Sequence, residues 1–341
     1  MIYLYICPAM NDPLFTETIL SWYAEHGRTL PWRGLRDPYA IWLSEIILQQ
    51  TRIAQGQAYW ERFMARFPRV EDLAAASEDE VLRLWEGLGY YSRGRNLLAA
   101  ARQIVALGAF PDTLEGIRGL KGVGDYTAAA IGSIAFGLPA AVVDGNVYRV
   151  LARHYGIDTP VGTTAAKKTF TSLAQSLLPH DRPGDFNQGM MDFGALQCTP
   201  SAPACLTCPL AEHCVARATG RTAALPVRKA STTVKERHLR YVYLRSDGMT
   251  AIHRRGAGDI WQGLWEPYLE EGGEPRFPGA RLLQKGVKHQ LTHRTLLADF
   301  YVLDCSGRPS LPDDYIWIPE TELDLYGKPR LVERLLQTLE D

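Results

Sequence analysis

The sequence predicts a two-part protein: an all-α body followed by a separate α+β domain. Three observations point to this. The length, 341 residues, exceeds one typical domain. Residues 12 to about 218 show helical periods and caps with few strand signals, as in "DEVLRLWEGLG" and "DTLEGIRGLKGVGDYTAAAIGSIAFG". From about 236 the period becomes alternation: "HLRYVYLRSDGMTAIHRR" reads as two strands around a Ser-Asp-Gly turn, and "LLADFYVLDCS" as another strand. Between them "GRTAALPVRKAS" carries Gly, Pro and small polar residues without a helical period, which reads as a linker. The expected boundaries are 10–218 for the helical domain, 219–235 for the linker and 236–341 for the C-terminal domain.

With 46% hydrophobic and 22% charged residues the composition is that of a globular protein, and no repeat or low-complexity tract interrupts it. The apolar stretches are short and broken, so no membrane-spanning helix is expected. The opening "MIYLYICPAM" lacks the basic start and the length of a secretory signal, and Met10 is a second candidate start, so an intracellular protein is expected. A net charge of −1 gives no global basic footprint, so any nucleic-acid contact must come from a local face. The densest basic run, "RKASTTVKERHLR" (228–240), reads as a solvated linker.

Four cysteines fall in "CTPSAPACLTCPLAEHC", spaced C-x6-C-x2-C-x5-C through Cys198, Cys205, Cys208 and Cys214. Disulfides do not suit an intracellular chain. Spacing alone leaves structural zinc and a [4Fe–4S] cluster both open. His213 is read as a surface residue because four thiolates complete either site.

Two carboxylates stand in different settings. Asp37 and Pro38 open a helix on which Glu45 lies one turn from Ile41, Trp42 and Leu48, an apolar face where lost solvation raises a carboxyl pKa and suits it to general acid work. The alternative is a glutamate neutralised by Arg33 or Arg52. Asp144 precedes a helix starting near Asn146; it reads as an N-cap, a place where amide donors and the helix dipole favour the anion. One protonated acid beside one anion is the pair used to cleave glycosidic bonds. In "LKGVGDYTAAAIGSIAFG" (120–137) Gly122 and Gly124 make a tight turn before a helix beginning near Asp125, which suits a sequence-independent grip on a phosphate.

"WLSEIILQQT", "VDGNVYRVLAR", "LKGVGDYTA" and the cysteine loop together resemble the MutY-type adenine DNA glycosylases of the helix-hairpin-helix, endonuclease III superfamily. "WQGLWEPYL" (261–269) resembles their MutT-like (Nudix) C-terminal domain, although the Nudix metal box, G-x5-E-x7-R-E-x2-E-E, is missing and pyrophosphate hydrolysis is not expected. The resemblance implies a [4Fe–4S] cluster on the four cysteines, a cation held by hairpin carbonyls, and adenine removal from double-stranded DNA opposite 8-oxoguanine or guanine. It makes Glu45 the acid, Asp144 the stabiliser or nucleophile, and Asn146 the residue that orients the carboxylates. Tyr126 stands where endonuclease III carries its attacking lysine, so glycosylase chemistry without strand cleavage follows, with Tyr126 near the sugar. Lys121 lies before the turn and reads as a phosphate contact or a solvated residue. Tyr148 stands where some relatives carry a lysine that traps abasic DNA, so trapping should be weak.

Also by resemblance, Gln50 and Tyr90 would invade the base stack, and Trp32, Arg33 and Gln188 would line the adenine pocket. The C-terminal Phe-Ser-His loop that reads 8-oxoguanine corresponds to Leu291, Thr292 and His293, where leucine cannot stack as phenylalanine does. A monomer associated with DNA and with no membrane is expected. Two alternatives stand beside this reading: an endonuclease III-like glycosylase and lyase, which Tyr126 disfavours, and a non-catalytic iron–sulfur DNA-binding protein, which the retention of Glu45 and Asp144 disfavours.

Overall fold

The computed structural model describes residues 11–229, 235–272, 276–291 and 294–340. The chain forms two compact units, one from residues 1–64 with 100–230 and the other from 65–99 with 231–341. The elements run α1 (Pro13–His26), α2 (Pro38–Leu48), α3 (Ile53–Arg66), α4 (Val70–Ala75), α5 (Glu78–Leu84), α6 (Ser92–Leu107), α7 (Leu114–Arg118), α8 (Asp125–Phe136), α9 (Gly145–Tyr155), α10 (Thr164–Leu177), α11 (Pro183–Leu196) and α12 (Val215–Ala218). Strands β1 (Lys235–Ser246), β2 (Met249–Arg254), β3 (Trp265–Glu270), β4 (Arg281–Gln290), β5 (Arg294–Asp304) and β6 (Tyr315–Pro319) follow, and α13 (Arg330–Glu340) ends the described chain. Among the described residues no helix is long and apolar enough to cross a membrane.

The helices of the first unit start where the sequence places caps. Asp12 accepts from Phe15 N and is followed by Pro13; Asp37 accepts from Tyr39 N and is followed by Pro38; Thr163 accepts from Ala166 N. Each cap satisfies an amide that the first turn leaves unpaired. Helices α8 and α9 end on Gly137 and Gly156, both left-handed. One core joins Phe15, Ile19 and Trp22 of α1, Val150 and Leu151 of α9, Phe170 and Leu173 of α10, and Phe186 and Phe193 of α11. Helix α2 is buried almost all round, through Tyr39, Ile41, Trp42, Leu43, Ile46 and Ile47, so a carboxylate on it is surrounded by protein.

Helix α11 approaches its neighbours closely at glycines. A Cβ on Gly194 would stand 2.6 Å from Asn146 Cβ and 3.0 Å from its carbonyl oxygen. One on Gly189 would stand 3.0 Å from Tyr23 Cβ. These contacts set α1 and α9 against the same helix.

The expected linker is docked in its first part. Leu225 is buried in the helical core, Val161 N donates to Val227 O at 2.9 Å, and Arg153 Nε donates to Leu225 O at 3.0 Å. Extended backbone here finds partners on the helical unit rather than in water.

In the second unit the strands form one mixed sheet in the order β4-β5-β1-β3-β2-β6. Strand β5 runs parallel to β1, and the other pairs are antiparallel. The β1–β2 turn is Asp247-Gly248 with φ of 52° and 74°, the left-handed pair that matches the twist of a two-residue hairpin. Along β1 the period of two holds: Leu239, Tyr241 and Tyr243 face the core built with Leu331, Val332 and Leu335 of α13, while Val242 and Leu244 face Tyr268 on the opposite side.

Candidate active site

A cavity of about 300 Å³ opens in the helical unit, lined by residues from its loops and from α2, α8 and α11. Trp32, Arg33, Glu45, Tyr126, Asp144, Asn146 and Gln188 all border it, so the chain folds seven of the expected site residues onto one space. Arg28, Arg52 and Met191 also border it. Among the described residues no lysine lines it.

Glu45 lies on α2, half-buried, and borders the cavity. Burial pushes its carboxyl up to about 7; the Arg33 guanidinium and the Tyr126 hydroxyl pull it down by less, and Asp144 adds to the rise. Tyr126 Oη donates to Glu45 Oε2 at 3.4 Å and also lies 3.4 Å from Met191 Sδ. Arg33 is not spent on Glu45, because its guanidinium bonds Asp192 Oδ1 at 3.1 Å and the Tyr23 hydroxyl. Burial thus outweighs the pull of the nearby Arg33 guanidinium on the Glu45 carboxyl.

Asp144 caps α9. Its Oδ1 accepts from Asn146 N and Val147 N, both at 2.8 Å, and its Oδ2 accepts from Asn146 Nδ2 at 2.8 Å. The donors that favour the anion are outweighed by burial, and the carboxyl is raised above its ordinary value. A helix start favours the anion only as far as its donors exceed the solvation the fold removes. Asn146 in turn accepts from Arg149 Nη2 at 2.8 Å, and Arg149 Nε donates to Cys198 O at 2.7 Å. The aspartate is thus fixed through a chain that reaches the cysteine loop.

Asp192 was not singled out by the sequence reading, yet it is 0% exposed and takes bonds from Arg28 N and Arg28 Nε at 3.0 Å and from Arg33. Two cationic side chains of the cavity wall depend on it.

Comparison with known proteins bears on this geometry. Residues 43–176 match the model of the HhH-GPD superfamily base excision DNA repair proteins, and residues 240–338 match that of the NUDIX domain. The adenine DNA glycosylase of Mus musculus is 46% identical over 228 residues, 63% of this chain and 44% of the mouse protein. That of Buchnera aphidicola from Acyrthosiphon pisum is 34% identical over 259 residues, 75% of this chain and 74% of the relative. The chain belongs to the adenine DNA glycosylase family. It spans less than half the length of the mouse relative. Among solved structures, a thermostable thymine-DNA glycosylase is 32% identical with a TM-score of 0.55, covering 60% of this chain and 96% of that one.

In this member of the adenine DNA glycosylase family the hairpin joins α7 to α8. Gly122 has φ of 80°, where a side chain would be strained, and Gly124 precedes α8 with open space where a Cβ would sit. Asp125, the first residue of α8, pairs with Lys167 at 2.8 Å and Arg118 at 3.5 Å. Lys121 is exposed and its N–H donates to Gln103 Oε1. Tyr148 stacks edge-on to Phe170.

The four cysteines share one recess with Arg153 and Arg217, and no disulfide joins them. Arg153 is buried and donates to Cys198 Sγ at 3.4 Å, Thr199 O at 2.7 Å and Pro200 O at 3.0 Å. Burial, together with the neighbouring cysteines, pushes the Cys208 thiol up to about 11; Cys198 is also raised, by burial above all. Among the described residues no three Cys, His, Asp or Glu side chains are closed into a coordination shell. His213 is exposed.

Gln50 and Tyr90 lie outside the cavity lining, and each is a non-glycine residue with positive φ, 58° and 47°. Such backbone is held only where surrounding structure enforces it. At Tyr90, which is 46% exposed, the enforcement is visible: Arg93 donates to Leu88 O at 3.2 Å and Gly89 O at 3.3 Å, and Trp85 Nε1 donates to Gly89 O at 3.0 Å. Arg93 was not anticipated. Tyr91 is buried and donates to Lys328 O. Leu291 packs on the sheet core, whereas Thr292 and His293 lie outside the described residues.

Proposed function

We propose that the protein is a base excision repair DNA glycosylase that hydrolyses the N-glycosidic bond of adenine mispaired with 8-oxoguanine or guanine in double-stranded DNA. The observation that carries this is Glu45, held near a pKa of about 7 beside Asp144 on a cavity reached by Arg33, Tyr126 and Gln188.

The base must leave the stack to reach the cavity, at a cost of a few kcal/mol that is lower at a mismatch. Gln50 and Tyr90 fill the gap, and Trp32, Arg33 and Gln188 hold the extruded adenine. Glu45 delivers its proton to a ring nitrogen, so the bond to C1′ breaks with the electron pair leaving on a base that departs neutral. The Asp144 carboxylate, fixed by Asn146, opposes the positive charge that develops on the sugar or attacks it, and water then completes the hydrolysis. Asp144 must be ionised while Glu45 is protonated, and the two titrate as a pair. Tyr126, at the position of the attacking amine, supports glycosylase chemistry without strand cleavage through a Schiff base, and among the described residues no lysine lines the cavity.

The hairpin at Gly122 and Gly124 grips a phosphate, with a cation on its carbonyls, and the C-terminal domain reads 8-oxoguanine through the loop holding Thr292 and His293. Functionally the chain divides at 10–218, 219–235 and 236–341, and it acts on DNA inside the cell as a monomer. Cys198, Cys205, Cys208 and Cys214 suit a [4Fe–4S] cluster: four thiols share one recess, and a guanidinium is already aimed at one sulfur. Anaerobically purified protein should show broad visible absorbance that bleaches with chelator and oxidant; a colourless, zinc-loaded protein would remove the cluster assignment alone.

The function is tested by single-turnover reaction with duplexes holding adenine opposite 8-oxoguanine, guanine or thymine. Abasic product is expected from the first two, with strand breaks only after alkali. Breaks without alkali would indicate a lyase.

A further inference from the structure

Helices α1 and α11 cross closely at Gly189, where a Cβ would meet Tyr23 Cβ at 3.0 Å and Ile19 Cγ2 at 3.1 Å. This carries the Tyr23 hydroxyl to 3.3 Å from Gln188 Oε1. The Tyr23 hydroxyl oxygen accepts from Arg33 Nη1, while Arg33 Nη2 is held on Asp192 Oδ1 at 3.1 Å. A guanidinium can only donate, so the tyrosine oxygen accepts from it, and its own hydrogen is turned to the amide carbonyl of Gln188. That carbonyl is then occupied. Gln188 lines the cavity and is buried, and among the described residues its amide nitrogen takes no protein acceptor.

We propose that Tyr23 is a positioning residue that fixes the polarity of Gln188, so that Gln188 offers the extruded base a hydrogen-bond donor and selects a ring-nitrogen acceptor rather than an exocyclic amino group. The inference rests on the reading of the cavity as the pocket for adenine. Removing the hydroxyl frees the amide to rotate, so either end can face the base and the preference for an acceptor is lost. Tyr23→Phe keeps the ring that packs on Gly189, which separates the hydroxyl from the packing.

The experiment measures equilibrium binding to duplexes whose target nucleotide carries a 2′-fluoro sugar, which disfavours the sugar cation and slows cleavage. Adenine is compared with its 1-, 3- and 7-deaza analogues, each of which replaces one ring nitrogen by C–H. In the wild type, besides the analogue that lacks the nitrogen facing Glu45, one of the three should bind about tenfold more weakly than adenine, the effect of one lost hydrogen bond. Tyr23→Phe should shrink that penalty to about threefold or less while weakening adenine binding itself. In the Gln188→Met background the penalty that depends on Gln188 should vanish, leaving only that of the nitrogen facing Glu45, and Tyr23→Phe should add nothing, because coupled residues are non-additive. An unchanged penalty in Tyr23→Phe, or an equal cost of Tyr23→Phe with and without Gln188→Met, overturns the proposal. If the wild type binds the adenine mispair no better than a fully paired duplex, the pocket reading fails and takes the proposal with it. Selective mispair binding with an unmoved penalty sinks the polarity role alone.

Discussion

Glu45→Gln should lower the single-turnover rate of adenine excision by roughly 10² to 10⁴, the range expected when a general acid is removed. The amide fits the same space, can still face Tyr126, and cannot supply the proton. The same substitution should stabilise the protein at alkaline pH. In the unfolded chain the carboxyl releases its proton near 4.5, whereas the folded site holds it to about 7, so folding takes up a proton between these values. Stability from this site therefore falls as pH rises through that window, and above it the wild type carries the whole cost of an ion enclosed by α2. Glu45→Gln removes that cost, about 1–2 kcal/mol once screening through the open side of the cavity is allowed for. Urea unfolding at pH 8 and again near pH 4.5 should show the mutant's advantage at the first and little at the second. An equal advantage at both would mean that charge burial is not its source.

Asp192→Asn has the second large effect, and on the opposite quantity. Asp192 is fully buried between Arg28 and Arg33, so a neutral amide leaves two guanidiniums facing one another without a counter-charge. Removing one partner of a buried ionic group typically costs about 3–5 kcal/mol, and Arg33 keeps some access to the cavity, which places the expected loss near 3. Urea unfolding followed by the helical signal should show it. A loss below about 1 kcal/mol would mean that the two arginines reach water readily.

These two residues mark what the sequence could and could not reveal. Glu45 was legible because its surroundings are local: Asp37 and Pro38 start α2, and Ile41, Trp42 and Leu48 lie one turn away. The Asp247-Gly248 hairpin was legible for the same reason, since a two-residue turn with alternating flanks carries its own geometry. Asp192 lies 164 residues from Arg28, and no period or spacing connects them. Arg149 and Arg93 act by bonding carbonyls, which have no sequence signature. Asp144 lies between these cases. Its capping role follows from neighbours two and three residues on, but the burial that raises its pKa comes from elements distant in the chain. The joining of residues 65–99 with the C-terminal segment is likewise a long-range outcome, invisible to a reading that proceeds along the chain.

The central claim is that Glu45 donates a proton to the base while Asp144 stays ionised. The pH dependence of single-turnover excision from an adenine:8-oxoguanine duplex tests it most directly. The rate should hold on the acid side of neutrality and fall as pH rises past about 7, with a second fall in acid set by Asp144, whose pKa also lies above its ordinary value. A rate that climbs through pH 7, or an alkaline limb retained unchanged in Glu45→Gln, would contradict the account.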